Sequence, residues 1–138
     1  MSQENKPNMS TPPRHYYGDI VRKLFLAAGI LMLATLAIFS SLITVSLPWS
    51  VIAIIVLAFL SGLESPNHKI IVMINTIAAA IGCGFFQYTA VQYYLSSTTS
   101  MNIDWAFFAV NQILAFIFFV ALYYSSKTVR AWKQIQTK

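Results

Sequence analysis

Four apolar runs, separated by short polar stretches, form the hydrophobic pattern of this chain. The third run, Ile70 to Leu95, holds twenty-six residues and no formally charged side chain. About 20 apolar residues in a helix, at about 1.5 Å each, cross the hydrocarbon of a bilayer. By this measure the spans lie at about 24–45, 48–63, 70–95 and 105–124. We therefore predict an all-α integral membrane protein, whose four transmembrane helices form two hairpins over residues 16–124 with the third helix at the centre.

The second run is the shortest, and its length allows two interpretations. Counted from Leu47 to Leu63 it reaches only about 25 Å, against about 30 Å of hydrocarbon. It fits either a short span that thins the bilayer locally or a re-entrant segment. The full crossing is favoured, because a re-entrant segment would leave the basic C-terminal tail outside the cell.

Composition agrees with a membrane location. The chain of 138 residues is 57% hydrophobic and only 9% charged, with a mean hydropathy of +0.64, whereas soluble domains carry about 25% charged residues. The net charge of +5 comes from basic residues that all lie outside the apolar runs. We therefore expect a lipid bilayer as the partner of these cations, and no nucleic acid.

The nine Lys and Arg residues also predict the orientation. If all four runs cross, every one of the nine lies on the side of the two termini, and the loops on the other side carry none. An excess of Lys and Arg marks the cytoplasmic side of a membrane protein. We therefore expect both termini in the cytoplasm. Short loops and the lack of a cleaved leader fit a bacterial inner membrane.

Both ends of the chain lie outside the predicted bundle. Residues 1–15 hold three of the five prolines, and we expect a disordered cytoplasmic tail there. Residues 125–138 are predicted to form a basic amphipathic helix along the membrane surface, where they bind anionic lipid headgroups. Apolar side chains recur in this tail at every third residue: Val129, Trp132 and Ile135. Three cations form its other side: Lys127, Arg130 and Lys133.

Small side chains in the third run predict a helix-packing face. Ala78 with Gly82, and Ala80 with Gly84, form two overlapping pairs of small residues four positions apart. This spacing lets the backbone of a second helix approach closely. The second helix belongs to this chain, to a second copy of it, or to another membrane protein.

The main polar groups in the third and fourth spans are amides: Asn75, Gln87, Gln92, Asn111 and Gln112. Gln87 lies eight residues from the end of the third span and Gln112 lies seven from the start of the fourth, so both have nearly the same depth in antiparallel helices. The first interpretation is an interhelical amide hydrogen bond, worth roughly 1 kcal/mol. The alternative is a polar lining for a small-solute path, with Asn111 and Thr89 as further members.

No arrangement of side chains indicates catalysis or a cofactor. The four spans hold no Asp, Glu, Lys, Arg or His, although such residues are the usual mark of proton relays and transport paths. Glu64 and His68 have the i, i+4 spacing of a metal pair, but Pro66 between them argues against a regular helix. We expect no enzyme activity, no metal and no cofactor.

In size and hydropathy the chain resembles small four-helix exporters of the multidrug-resistance type and small fluoride channels. No motif extends this resemblance. The exporters carry a carboxylate inside the first span, which this chain lacks. Members of both families often insert in two orientations, which requires balanced loop charges, whereas the charges here are strongly biased.

Two functions follow from these observations. The first is a non-enzymatic membrane protein that acts by helix–helix association, as an accessory or assembly subunit, through the face from Ala78 to Gly84 and the basic tail. The alternative is a small oligomeric channel or transporter with an amide-lined path.

A tag fused after Lys138 tests the predicted orientation. Because cations resist translocation, we expect this tag to resist protease added to spheroplasts and to be cut only after lysis. A tag inserted in the loop at 96–104 serves as the control, and it should be cut in intact spheroplasts. Cleavage of the C-terminal tag before lysis would contradict the four-span topology.

Overall fold

The computed structural model of the chain describes residues 17–43, 45–63, 68–100 and 103–137. These residues form four α-helices and no strand: α1 Gly18–Ile38, α2 Leu47–Gly62, α3 Lys69–Ser100 and α4 Trp105–Gln136. Three of them, α1, α3 and α4, are long and apolar enough to cross a membrane, whereas α2 has only 16 residues. The predicted all-helical class with four helices is confirmed. The predicted tail at 1–15 and the turn residues 64–67 lie outside the described residues.

The largest departure from the predicted boundaries concerns α1. The hydropathy pattern predicts a span over about 24–45, but the helix begins at Gly18, ends at Ile38 and is followed by a turn. Asp19 in the first turn suits the positive end of the helix dipole. After Ile38 the sequence is FSSLITVS, where serines compete for backbone hydrogen bonds and β-branched residues lower helix propensity. The apolar run therefore continues beyond the helix that it contains.

Both α3 and α4 are longer than their predicted spans. α3 continues to Ser100, so most of the polar segment after Leu95 is helical rather than a connection. The hydroxyl side chains at 96, 98 and 99 donate to backbone carbonyls of the preceding turn, which satisfies them within the helix. α4 continues without a break to Gln136. Residues 125–136 therefore extend α4 in line, instead of starting a separate helix along the surface, because no glycine or proline interrupts them.

Asp104 marks the start of α4 and connects it to α3. Its carboxylate accepts hydrogen bonds from the backbone N–H groups of Ala106 and Phe107 at 3.0 and 3.3 Å, which is the N-cap arrangement. The backbone N–H of Asp104 donates to the Tyr93 hydroxyl of α3 at 3.0 Å. These bonds hold the connection between α3 and α4 to both helices and agree with a hairpin.

The central helix is α4, and the prediction that the third helix is central is wrong. Extensive contacts join α4 to α3, α4 to α1, and α1 to α2, so the helices follow the order α2, α1, α4, α3. In the most apolar window of α4, 33% of the residues are buried, against 22% in α1 and in α3. α4 can occupy the central position because it presents packing side chains on two faces.

α3 and α4 pack as an antiparallel pair with a heptad-like pattern. The buried residues of α4 that follow this pattern recur at alternating steps of four and three: Phe107, Asn111, Leu114, Phe118, Ala121, Ser125 and Thr128. Steps of three and four also connect a row on α3, in which only Gly82 is half-buried and the others are buried: Val72, Asn75, Ala79, Gly82 and Phe86. Such a repeat keeps one seam of each helix facing the other.

Phe118 lies where α1, α3 and α4 meet, and it is only 2% exposed. Its ring stacks on Phe86 of α3, with centroids 5.5 Å apart, and contacts Phe25 of α1 at a centroid distance of 6.0 Å. A Cβ atom added to Gly82 would lie 2.6 Å from Cδ1 of this ring. The absence of a side chain at Gly82 therefore lets α3 and α4 approach closely at this level.

Gly82→Ala tests the close approach. We expect it to lower the free energy of unfolding by about 1–3 kcal/mol, since the added methyl group overpacks a buried ring. Gly84→Ala is the matched control, because a Cβ atom there meets nothing within 4 Å and alanine improves helix propensity by up to about 1 kcal/mol. Unfolding of the purified variants in detergent measures both effects. Equal unfolding midpoints for the two variants would contradict the contact.

Candidate functional site

A cavity of about 470 Å³ lies between α2 and α3, and residues of all four helices line it. It exists because α2 packs against α1 and buries only Leu57 and Ser61. Small-molecule sites commonly have volumes of about 300–1,000 Å³. The cavity is therefore large enough for a ligand, and it is the candidate site.

Three polar side chains, one each from α1, α3 and α4, form a layer in the cavity wall: Thr35, Thr89 and Asn111. Their common level follows from neighbouring ring contacts. Phe107 of α4 contacts Phe39, which directly follows α1, and Tyr93 of α3, with centroid distances of 5.5 and 4.8 Å. Each member of the layer lies four residues, or about one turn, from its ring in the same direction along the bundle. We refer to these three residues as the polar layer.

The polar layer presents hydrogen-bond acceptors. The Thr35 hydroxyl donates to the Leu31 carbonyl at 2.7 Å, and the Thr89 hydroxyl donates to the Phe85 carbonyl at 2.9 Å. Nδ2 of Asn111 donates to the Phe107 carbonyl at 2.9 Å. Each hydroxyl has one hydrogen, which is already used, so the oxygens of both threonines retain lone pairs, as does Oδ1 of Asn111.

The rest of the lining is largely apolar. Trp49 and Ser50 of α2 are its remaining polar members, and no charged residue within the described ranges lines the cavity. Phe118 and Leu114 form part of its deeper surface on α4. The cavity therefore combines one uncharged polar layer with a long apolar surface.

The four predicted helix-packing residues lie on two faces of α3. Gly82 packs against Phe118, and Ala78 is half-buried and lines the cavity. Ala80 and Gly84 are exposed, and the position of a Cβ atom on Gly84 is open. Phe118 therefore occupies the space at Gly82 within the chain, whereas the face of Ala80 and Gly84 is left uncovered.

The predicted amides do not converge on one place. Asn111 is buried and bonded to its own helix, whereas Gln112 is half-buried and Gln87 and Gln92 are exposed. Among the five amides, only Asn111 lines the cavity. The hydrogen bond between Gln87 and Gln112 stays a prediction.

Asn75 is a buried polar residue whose special position sequence reasoning missed. It is 0% exposed, and both Oδ1 and Nδ2 lack a hydrogen-bond partner among the described residues. The indole Nε1 of Trp132 on α4 is likewise buried without a partner there. The heptad-like step from Val72 to Asn75 to Ala79 is the sequence signal that could have placed Asn75 in the seam with α4.

The basic residues of the predicted tail lie on the surface of α4: Lys127, Arg130 and Lys133 are exposed. Nζ of Lys127 lies 4.8 Å from the ring centroid of Tyr17, a cation–π distance. Tyr17 in turn contacts Tyr124, with ring centroids 5.3 Å apart. These contacts hold the start of α1 against α4 next to the cationic surface.

Neither a metal centre nor a known relative helps to define this site. Within the described parts of the chain, no three His, Cys, Asp or Glu side chains are close enough to hold a metal ion. Comparison with protein-family models, curated proteins and solved structures finds no match for the chain. The candidate site is therefore defined by its geometry alone.

Asn75→Leu tests the state of the buried amide. We expect it to raise the free energy of unfolding by about 1–3 kcal/mol, because an apolar side chain of similar size removes an unsatisfied buried polar group. Asn111→Leu is the matched control and should not stabilise, since it removes the hydrogen bond to Phe107. Unfolding in detergent measures both. A less stable Asn75→Leu protein would contradict the absence of a partner for Asn75.

Proposed function

We propose that this chain is a small multi-pass protein of a bacterial inner membrane, with both termini in the cytoplasm, that acts without catalysis. It acts by helix–helix association, as an accessory or assembly subunit that binds a second copy of this chain or another membrane protein. Three long apolar helices support the membrane location. The one-sided distribution of nine basic residues supports the orientation.

The observation that carries the association proposal is the uncovered face of α3. It combines the small residues Ala80 and Gly84 with large exposed apolar side chains at the same helical spacing: Ile77, Ile81 and Tyr88. Positions i, i+3, i+4, i+7 and i+11 lie on one side of a helix. Close approach at Gly84 would let a second helix pack between the larger side chains, as Phe118 packs on Gly82 inside the chain.

The cationic end of α4 supports a second contact. Arg130 and Lys133 are exposed where α4 extends beyond the predicted span. Anionic headgroups attract such cations by about 1 kcal/mol each near the surface. This attraction would hold the cytoplasmic end of the bundle at the membrane while α3 contacts its partner.

The alternative is a small oligomeric channel or transporter with an amide-lined path. Its support is the presence of Asn111 and Thr89 in one cavity wall. Gln87 and Gln112 do not line this cavity, so a path through one chain would have to use a mostly apolar surface. Solute flux into liposomes that contain only this protein is the measurement that would favour this alternative.

Gly84→Leu tests association through α3. We expect it to abolish the complex seen by native mass spectrometry after mild extraction, whether homomeric or heteromeric, because leucine blocks the close approach. Gly29→Leu on α1 is the matched control, since a Cβ atom at either glycine meets nothing within 4 Å.

The unfolding midpoints of both variants should stay at or above that of the unchanged protein, which separates loss of association from loss of folding. An intact complex in Gly84→Leu would contradict association through this face. Loss of the complex in both variants would indicate that bulky residues act nonspecifically, and it would equally contradict the assignment to α3.

A further inference from the structure

We infer that the cavity between α2 and α3 binds a neutral single-chain amphiphile whose head group donates hydrogen bonds, such as a monoacylglycerol. The head group contacts the polar layer of Thr35, Thr89 and Asn111, and the alkyl chain follows the apolar lining. This inference rests on the proposed membrane location, and it does not depend on association through Gly84.

The polar layer selects the head group. Both threonine hydrogens are committed to carbonyls of their own helices, so their oxygens offer only lone pairs to the cavity. Asn111 adds an acceptor at Oδ1. Three acceptors from three helices at one level match a head group with more than one hydroxyl hydrogen. The second N–H of Asn111 remains as a donor to a hydroxyl oxygen of the same head group.

The electrostatics of the lining require an uncharged ligand. No charged side chain within the described ranges lines the cavity, and an isolated charge is costly in an apolar environment unless it is paired. A cationic amine would therefore enter without a counter-ion, and a fatty acid would have to be protonated. A glycerol head needs neither, since its hydroxyls are neutral donors.

The apolar lining accommodates the alkyl chain of the ligand. From Asn111 to Phe118 the cavity wall descends seven residues along α4, or about 10 Å, and on α3 it descends eleven residues from Thr89 to Ala78, or about 17 Å. Leu57, Leu60 and Ile81 line this deeper part. Burial of the apolar surface of the alkyl chain contributes to the binding free energy, at about 25 cal/mol per Å².

The position of the cavity gives such a molecule an entry path from the bilayer. α2 and α3 flank it, and both helices expose large apolar side chains on their outer surfaces. Trp49 lines the cavity near the start of α2 and is itself 66% exposed. It therefore provides a spectroscopic probe at the cavity.

The test uses the full chain with Trp105→Phe and Trp132→Phe, so that Trp49 is the only fluorophore of its type. The protein is placed in nanodiscs of phosphatidylcholine, whose head group has no hydroxyl donor. We expect a monoacylglycerol with a brominated chain to quench Trp49 saturably, at about tenfold lower mole fraction than the methyl ester of the same acid. The ester shares the chain and lacks the donors.

Thr89→Val should reduce the difference between the two lipids, because it keeps the shape of the side chain and removes one of the three acceptors. Thr76→Val is the matched control on the same helix: Thr76 also donates to a carbonyl four residues back, and it does not line the cavity. Ala53→Phe should abolish saturable quenching by filling the cavity from α2.

Equal quenching by monoacylglycerol and ester in the unchanged cavity would overturn the inference, since it would indicate ordinary contact with lipid chains. An unchanged difference in both Thr89→Val and Ala53→Phe would do the same. Failure of the protein to enter nanodiscs would instead contradict the membrane location, and with it this inference, whereas the result for Gly84 would bear only on association.

Discussion

The contact between the Phe118 ring and the backbone at Gly82 is the interaction on which the arrangement of the helices depends. It allows α3 and α4 to approach closely at this level, and the same ring contacts Phe86 and Phe25. One buried side chain of α4 therefore connects three helices. α2 contributes only Leu57 and the partly buried Leu60 to the described hydrophobic core, and it packs against α1. The result is a closely packed group of three helices and a fourth that leaves a cavity beside α3.

Hydrogen bonds within single helices explain how polar side chains are tolerated in this apolar protein. Thr35, Thr76 and Thr89 each donate to the carbonyl four residues earlier, and Asn111 does the same with its amide. Without such partners, a polar group in hydrocarbon costs several kcal/mol. Asn75 differs, since neither atom of its amide has a partner among the described residues. A buried asparagine in a seam of this kind is a known means of specifying register between helices.

The sequence predicts the elements of this fold better than their ends or their order. Hydropathy identifies the four helices because burial in lipid or protein needs long apolar runs, and the predicted limits of the second run match α2 to within one residue. Hydropathy cannot detect that α1 ends at Ile38, since two serines are too few to interrupt an apolar run and the β-branched Ile43 and Val45 extend it. The small residues of α3 favour this helix as the centre of the bundle, whereas the structure places α4 there. Small residues show where a close approach is possible, whereas the heptad-like spacing of α4, from Phe107 to Thr128, shows which helix makes it.

The sequence names Thr89 and Asn111 as members of a polar lining, and both line the cavity. It could not predict that Thr35 joins them or that the cavity lies there, because both depend on the register between helices rather than on any local pattern. Thr35, Thr89 and Asn111 are ordinary polar residues in their own segments, and only the ring contacts around Phe107 bring them to one level.

The early end of α1 contributes to the same site. Because the helix stops at Ile38, the connecting residues Ile43 and Val45 line the cavity. If α1 continued as a helix to Val45, as its hydropathy suggests, Ile43 would lie about 7 Å further along the helix axis than Ile38 and could not return toward α2. The sequence that follows the early helix end therefore also contributes Ile43 and Val45 to the lining of the cavity.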